Sequence, residues 1–373
     1  MVNTSEQPLI SIVLPTYNGA RYLDEAINSI LNQTFRDWEL IIVDDCSTDD
    51  TPKIIRRYAL QDSRIRMIRN DVNKRLPASL NVGFHNAKGK LLTWTSDDNR
   101  YLPEALDRMQ RVLRNSPDLA MVCADCVFID EKGNKTDLMA TYDEYHMLTW
   151  DTVGACFMYR HDVLDTVGDY DVDLFCVEDY DYWQRILKHY GHIERIPEIL
   201  YEYRFHSESL TVQKRKRVLY QNSRLLEKNI DDIFNKFQND FNIICWLFYE
   251  MRKSDYLPQE IERRLLNILP IVNSEEPYDV NTSYLLFGAG RYGRIMRDYL
   301  DRRAICFIDN DPKKIGTNIK SLPVMSLEEA IAHYPKERIL LSVSNKQFYA
   351  IIEQLKAQGI NKYTVYLPLL TEI

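Results

Sequence analysis

Residues 91–102, LLTWTSDDNRYL, decide how the rest of the chain is interpreted. The stretch begins as an apolar, partly β-branched run and stops on Ser96, Asp97, Asp98 and Asn99. Residues 104–113 follow with apolar side chains at helical spacing. The pattern therefore predicts a buried strand, a turn with adjacent carboxylates, and a helix. In open α/β sheets, ligands bind at the edge where such strand ends lie.

The acidic turn has two interpretations. Adjacent carboxylates repel each other, so a cation usually lies between them, and oxygen ligands on a short turn suit Mg²⁺ or Mn²⁺. Acidic residues before a helix are also common as caps, a role that Asp98 or Asn99 would fill. The turn alone does not separate the two.

The residues before this turn repeat the same alternation of strands and helices. Apolar runs predict strands at residues 9–14, 38–43, 64–69 and 90–95. Helical spacing predicts helices at residues 22–31, 51–60 and 77–86. This order predicts a parallel sheet with right-handed crossovers, so the polar strand ends PTYN, VDDCSTDD and TSDDN should meet at one edge. No G-x-G-x-x-G follows the first strand, which argues against a dinucleotide site there.

Composition narrows the class of protein. The 373 residues are 45% hydrophobic and carry a net charge of −8, which fits a globular protein and disfavours nucleic-acid binding. No window of about 18 uninterrupted apolar residues predicts a membrane span. The first eight residues do not form a signal peptide, and seven cysteines, an odd number, lie in mostly apolar surroundings. These features predict a cytoplasmic protein with reduced thiols.

Five motifs, taken in order, resemble those of family 2 glycosyltransferases with the A-type (GT-A) fold. They are the opening segment at 9–51, SDDN at 96–99, GACFMYRHDVLDTVGDYD at 154–171, VEDYDYWQRI at 177–186 and YEYRFHSES at 201–209. The resemblance covers roughly residues 8–212. It departs after Arg69, where the family often has a glycine-rich N-x-G turn and this chain has NDVNKRLPAS. The role of Arg75 is therefore open.

The resemblance implies roles for the catalytic residues. SDDN matches a D-x-D-like metal motif, so Asp98 is expected to bind Mn²⁺ or Mg²⁺, with His206 as a second ligand or a diphosphate contact. Asp179 in the E-D segment is expected to be the base of a single, inverting displacement, and Glu178 to bind acceptor hydroxyls. Trp183 offers either a flat face to an acceptor sugar or a core side chain. An acidic pair favoured by the dipole of its own helix is the plainer explanation of the E-D segment.

A second group of residues is expected to hold the donor, with a UDP-sugar favoured. They are Pro15, Thr16, Tyr17, Asp45, Arg75 and Asp97. Carboxylates there would accept hydrogen bonds from a base or a ribose, and Tyr17 would pack on a ring or simply end its strand. The acceptor is expected to be a hydroxyl of a glycan or a lipid-linked glycan, in surface polysaccharide biosynthesis.

The last ninety residues restart a β-α-β pattern. Gly288, Gly290 and Gly293 form a G-x-G-x-x-G between a strand and a helix, and Asp309 ends the next strand 21 residues after Gly288. This is a dinucleotide fingerprint. The segment resembles small Rossmann-like modules appended to sugar-modifying enzymes, and it lacks a catalytic half for hydride transfer. Scaffold and nucleotide-binding roles both stay open.

The predicted organisation is an α/β protein of three parts: a Rossmann-like, nucleotide-sugar-binding GT-A domain (1–212), a helical segment (213–280) and a small Rossmann-like α/β domain (281–373). The basic run at 214–217 suits a solvated helix face, a diphosphate, or peripheral contact with the inner face of the membrane. The apolar stretch at 243–249 suits a core, membrane contact or a homo-oligomer interface. Two other functions compete: a non-catalytic nucleotide- or glycan-binding regulator, and an NAD-linked sugar-modifying oxidoreductase that uses the C-terminal domain.

Overall fold

The computed structural model describes residues 7–141, 146–237, 247, 250–251, 254, 256–268, 282–343, 345–360 and 363–365. The chain divides into two compact units, Met1–Asn229 and Ile230–Ile373. This division falls inside the segment predicted to be helical, and the predicted boundary near residue 280 lies outside the described residues, as does the apolar stretch 243–249 except for Leu247. No helix in the described part of the chain is long and apolar enough to cross a bilayer.

A nine-stranded mixed sheet forms the centre of the first unit. Its strands are β1 (Ile10–Thr16), β2 (Trp38–Asp44), β3 (Ile65–Arg69), β4 (Leu91–Trp94), β5 (Arg100–Tyr101), β6 (Met121–Ile129), β7 (Lys135–Met139), β8 (Cys156–Arg160) and β9 (Glu194–Arg204). Their order is β3-β2-β1-β4-β8-β6-β9-β5, with β7 paired to β6. The first four predicted strands pair in parallel, with β1 between β2 and β4. The β4–β8 and β6–β8 pairs are antiparallel.

Helices cover both faces of this sheet. They are α1 (Leu23–Leu31), α2 (Thr51–Gln61), α3 (Leu76–His85), α4 (Ala105–Asn115), α5 (Asp162–Val167), α6 (Glu178–Tyr190), α7 (Leu210–Gln213) and α8 (Arg215–Lys228). Successive residues of β1 point to opposite faces: Ile12 and Leu14 join the core under α1, α2 and α4, whereas Val13 joins the core under α3 and α6. Two buried faces explain why the strands are almost continuously apolar.

The strand β1 is longer than the sequence predicts, because Pro15 does not end it. Pro15 lies opposite Val43 of β2, and Thr16 lies opposite Asp44. On the other side, the pairing with β4 ends at Val13 and Trp94. Proline lacks an N–H donor, but beyond Val13 the ladder to β4 no longer needs one. Thr16 is thereby carried by a strand rather than by a loop.

The second unit contains α9 (Ile230–Phe237), α10 (Gln259–Ile268) and a six-stranded sheet. The strands are β10 (Tyr284–Phe287), β11 (Ala304–Ile308), β12 (Asn318–Ile319), β13 (Leu322–Met325), β14 (Arg338–Leu341) and β15 (Tyr363–Val365), with helices α11 (Arg291–Leu300), α12 (Leu327–His333) and α13 (Asn345–Ala357). The order β12-β13-β11-β10-β14-β15 is parallel except for the β12–β13 pair. The prediction of a small Rossmann-like α/β domain at the C-terminus is confirmed.

Candidate active site

A cavity of about 520 Å³ opens where β1, β2 and β4 end. The backbone N–H of Asp45 donates to the carbonyl oxygen of Thr16 at 2.8 Å, and the Thr16 hydroxyl donates to the Asp97 carboxylate. The three polar strand ends therefore meet at one edge, as predicted. The cavity wall contains eight of the predicted site residues: Pro15, Thr16, Tyr17, Asp45, Arg75, Asp97, Asp98 and His206.

The carboxylate of Asp97 is held tightly at the floor of this cavity. A side chain on Gly19 would overlap both that carboxylate and the Thr16 hydroxyl, so only glycine allows the loop after β1 to come this close. Burial, followed by the negative charge of Asp98, raises the pKa of Asp97 to about 7. A buried carboxylate whose ionisation is disfavoured by the charge beside it is an environment that a cation would stabilise.

Asp98 and His206 meet although 108 residues separate them in the chain. Nε2 of His206 lies 3.0 Å from Oδ2 of Asp98, and the imidazole is almost fully buried, packing edge-on against Tyr22. The other ring nitrogen, Nδ1, is buried without a hydrogen-bond partner. Imidazole and carboxylate are both ligands of Mn²⁺ and Mg²⁺, so this pair has the chemistry to hold a divalent ion. No group of three or more His, Cys, Asp or Glu side chains suited to a metal occurs among the described residues.

A fully buried arginine fixes the position of this pair. Arg204, at the end of β9, donates from its backbone N–H to Asn99 and from Nε to the carbonyl oxygen of Asp98, at 2.7 and 2.9 Å. Its guanidinium also pairs with Glu25 of α1 at 2.7 Å and lies over the Tyr22 ring. The sequence analysis missed Asn99 and Glu25 as supports. The only signal was Arg204 itself, an arginine two residues before the predicted ligand His206.

The carboxylate of Asp45 holds a loop rather than standing free in the cavity. Oδ1 accepts hydrogen bonds from the Asn70 side chain and from the backbone N–H of Lys74, and Oδ2 accepts from the backbone N–H of Arg75, each at 2.8 Å. Asp45 also lines the cavity, where it was predicted to contact the donor. In the structure, its hydrogen bonds anchor the backbone of residues 74 and 75.

Glu178 and Asp179 begin α6, as predicted for the E-D segment. Neither belongs to the cavity wall, whereas Phe175, four residues before Asp179, does. Burial, followed by the charge of Asp179, raises the pKa of Glu178 to about 8; burial, followed by the charge of Asp151, raises the pKa of Asp179 to about 7. An aspartate whose pKa is near neutrality is suited to take up a proton at working pH.

The carboxylates of both Asp98 and Asp179 affect the pKa of the Tyr203 phenol. Burial raises its pKa, and the negative charges of both Asp98 and Asp179 raise it further. Tyr203 therefore lies within electrostatic reach of the predicted metal ligand and of the predicted base.

Two side chains that were predicted to contact the acceptor, those of Trp183 and Glu178, make contacts within the protein core or its backbone. Trp183 is fully buried in the core with Phe157, at a ring-centroid distance of 4.3 Å, so it presents no face to a sugar. Its position on α6 puts it on the helix face that packs against the sheet, which explains the difference from the expectation. Glu178 is buried, and its Oε2 accepts from the backbone N–H of Cys176 at 2.6 Å.

In the second unit, the glycine motif forms the expected turn between β10 and α11. Gly288 has φ +112°, and a side chain on Gly293 would overlap the carbonyl oxygen of Gly288. Asp309 follows β11, but its carboxylate accepts from the backbone N–H of Ala289 at 2.9 Å and from Lys314 Nζ at 3.0 Å. A ribose hydroxyl would have to share or displace these bonds. Gly290 has open space beside it.

Comparison with known proteins agrees with the motif order. Residues 11–168 match the model of the family described as "Glycosyl transferase family 2". These residues belong to glycosyl transferase family 2. The first unit thus carries a family 2 glycosyltransferase domain, and the predictions of family, GT-A fold and enzyme class are confirmed.

Relatives differ in how much of their length they share with this chain. The uncharacterized glycosyltransferase MJ1057 of Methanocaldococcus jannaschii is 29% identical over 265 residues, which are 67% of this chain and 89% of that protein. The putative glycosyltransferase EpsE of Bacillus subtilis is 38% identical over 127 residues, 34% of this chain and 46% of EpsE. The structure of the mannosyltransferase PcManGT from Pyrobaculum calidifontis aligns with a TM-score of 0.51 and 17% identity over 70% of this chain and 80% of that one. This last likeness concerns the fold.

Proposed function

We propose that the first unit transfers a sugar from a nucleotide-diphosphate donor, with a UDP-sugar favoured, to a hydroxyl group of a glycan or lipid-linked glycan. The observation that supports this most is the Asp98–His206 pair, which lies in the same cavity as Thr16, Tyr17 and Asp97. A nucleotide held at the strand ends would direct its diphosphate toward that pair. PcManGT was solved with GDP-Man and Mn²⁺, a donor and an ion of the classes proposed here.

Asp98 and His206 would hold the divalent ion. When bound, Mn²⁺ or Mg²⁺ neutralises the charge that develops on the departing diphosphate. The buried, unpartnered Nδ1 of His206 and the raised pKa of Asp97 both fit a site that is completed by a cation and its substrate.

Asp179 would act as the base. The acceptor oxygen attacks the anomeric carbon, the bond from that carbon to the diphosphate oxygen breaks, and the hydroxyl proton passes to the Asp179 carboxylate. One base and one displacement imply inversion at the anomeric carbon. Because Asp179 has a pKa of about 7, a useful fraction of it is ionised near neutral pH and it still binds a proton strongly enough to assist the attack.

The test is donor hydrolysis by the full chain, with UDP- and GDP-sugars as probes and Mn²⁺ or chelator added. Asp98→Ala should abolish metal-dependent hydrolysis, because the carboxylate ligand is lost, while the exposed Asp118→Ala serves as the matched control. Asp179→Asn should keep donor affinity and lower turnover by about two to four orders of magnitude.

Unchanged turnover of Asp98→Ala, or full activity with chelator, would contradict the metal role. Loss of donor affinity in Asp179→Asn with turnover retained would move Asp179 to the donor site. Roles in surface polysaccharide synthesis, at the cytoplasmic face of the membrane or in a homo-oligomer stay predictions from the sequence.

A further inference from the structure

Two arginines from distant parts of the first unit approach one aromatic ring beside the cavity. The guanidinium carbon of Arg75 lies 5.6 Å from the centre of the Phe175 ring, and that of Arg217 lies 5.1 Å from it. Phe175, Arg75 and Lys214 all line the cavity. Arg75, Lys214 and Arg217 are called the cation cluster below.

The cation cluster is exposed and has no carboxylate of its own. None of its three side chains forms an ion pair with any residue in the described part of the chain, although the protein has a net charge of −8. By contrast, Arg21, another arginine of the same cavity wall, pairs with Glu131 and Glu208. Cations held close together without a counter-charge are ready to receive an anion.

The backbone is strained at one of the three cations, Arg75, and at Cys176 beside the shared ring. Arg75 has φ 70° and ψ 171°, a region that is almost restricted to glycine, and Cys176, next to Phe175, has φ 86°. Carboxylates hold both segments: Asp45 accepts from the backbone N–H of Arg75, and Glu178 accepts from that of Cys176. Strain of this kind persists only where the surrounding structure imposes it, and it concentrates at functional sites.

The cluster adjoins the segment that leads to the predicted base. Phe175, the ring that both arginines approach, lies four residues before Asp179. The backbone N–H of the next residue, Cys176, donates to Glu178 at 2.6 Å. Burial raises the pKa of the Cys176 thiol, and Arg217 and Lys214 lower it. An anion bound here would therefore belong to the molecule that Asp179 deprotonates.

We propose that Arg75, Lys214 and Arg217 form a subsite for a phosphate or carboxylate group carried by the acceptor. The proposal rests on the glycosyl transfer proposed above and specifies its acceptor as an anionic glycan or glycan phosphate. Guanidinium groups bind such oxyanions through paired N–H donors, and the Phe175 ring keeps the two arginines in place. Binding of the anionic group at this subsite would then orient the acceptor hydroxyl toward Asp179.

The experiment uses the full chain with Mg²⁺, UDP and glucose 6-phosphate, followed by ³¹P NMR, because one spectrum reports both phosphorylated ligands. Arg217→Gln should weaken glucose 6-phosphate binding by about tenfold while UDP affinity changes by less than about twofold, and Arg75→Gln should weaken glucose 6-phosphate binding by a similar factor. Arg215→Gln removes the same charge from the same exposed run without touching Phe175 or the cavity, and it should change neither affinity. Competition with glucuronate and with neutral glucose separates a carboxylate, a phosphate and an uncharged sugar.

Displacement by glucuronate supports a subsite shared by both oxyanions, and no displacement by glucuronate or glucose supports one selective for phosphate. Three results would overturn the proposal: no binding of glucose 6-phosphate, an equal loss in Arg215→Gln, or a loss of UDP affinity instead in Arg217→Gln, which would assign the arginines to the donor diphosphate. If neither UDP nor GDP binds while glucose 6-phosphate binding still depends on Arg217, the proposed glycosyl transfer is refuted and the anion subsite is retained.

Discussion

Replacing Arg75 by glycine should make the protein more stable. At φ 70° and ψ 171° the Cβ of Arg75 is in an unfavourable position, and such a backbone costs about 1–3 kcal/mol. Glycine removes that cost but loses about 0.5–1 kcal/mol of extra conformational entropy on folding. Arg75→Ala is the reference, because alanine keeps the Cβ and loses the same guanidinium. Arg75→Gly should therefore exceed Arg75→Ala by about 1 kcal/mol.

For a unit of this size, that difference corresponds to a rise of roughly 2–4 °C in Tm. Urea and thermal unfolding of the full chain, followed by tryptophan fluorescence, would measure it, since four of the five tryptophans lie in the first unit. Both variants should weaken glucose 6-phosphate binding equally, because both remove the cation. If Arg75→Gly is no more stable than Arg75→Ala, the backbone of residue 75 is not strained and that support for the anion subsite is lost.

Three further predictions concern protons and the second unit. Because the pKa of Asp179 is about 7 and the base must be ionised, kcat for donor hydrolysis should fall about tenfold from pH 8 to pH 6; a flat profile would contradict the assignment of the base. The pKa of Glu178 is raised from 4.5 to about 8, so the folded protein binds more protons than the unfolded chain between those values and stability falls as pH rises through them. Glu178→Gln keeps an acceptor for the N–H of Cys176 and should raise Tm at pH 8.5 but not at pH 4.5, and a Tm below that of the unmodified protein at pH 8.5 would refute the direction. Gly293→Ala should destabilise the second unit, measured by calorimetry, and leave donor hydrolysis unchanged; lost hydrolysis would show that the second unit is needed for catalysis.

The sheet and its polar edge were predictable because their signal is local. Each apolar run is bounded by polar residues, and a parallel order places all the strand ends on one side. The pairing of Asp98 with His206 was predictable only through the resemblance, since no sequence rule joins Asp98 to a residue 108 positions later.

Long-range supports were not predictable. Glu25 meets Arg204 across 179 positions, and both Arg75 and Arg217 meet Phe175, because the tertiary fold brings them together. Trp183 illustrates the converse. From the sequence, its aromatic ring is suited to stack on a sugar, but the face of the helix on which it lies packs against the core. Local pattern gives the elements, whereas the partner of a polar side chain depends on where the other elements pack.

The contact between Asp98 and His206 also has a consequence during synthesis of the chain. Asp97, Asp98 and the strands β1 to β4 leave the ribosome first, and Arg204 and His206 follow about a hundred residues later. At about 5–20 residues per second, the interval is on the order of 5–20 s. During that time the nascent chain carries Asp97 and Asp98 without the imidazole of His206 or the guanidinium of Arg204. On the metal role proposed above, a partly synthesised chain would be unable to hydrolyse nucleotide-sugars before His206 and Arg204 are in place.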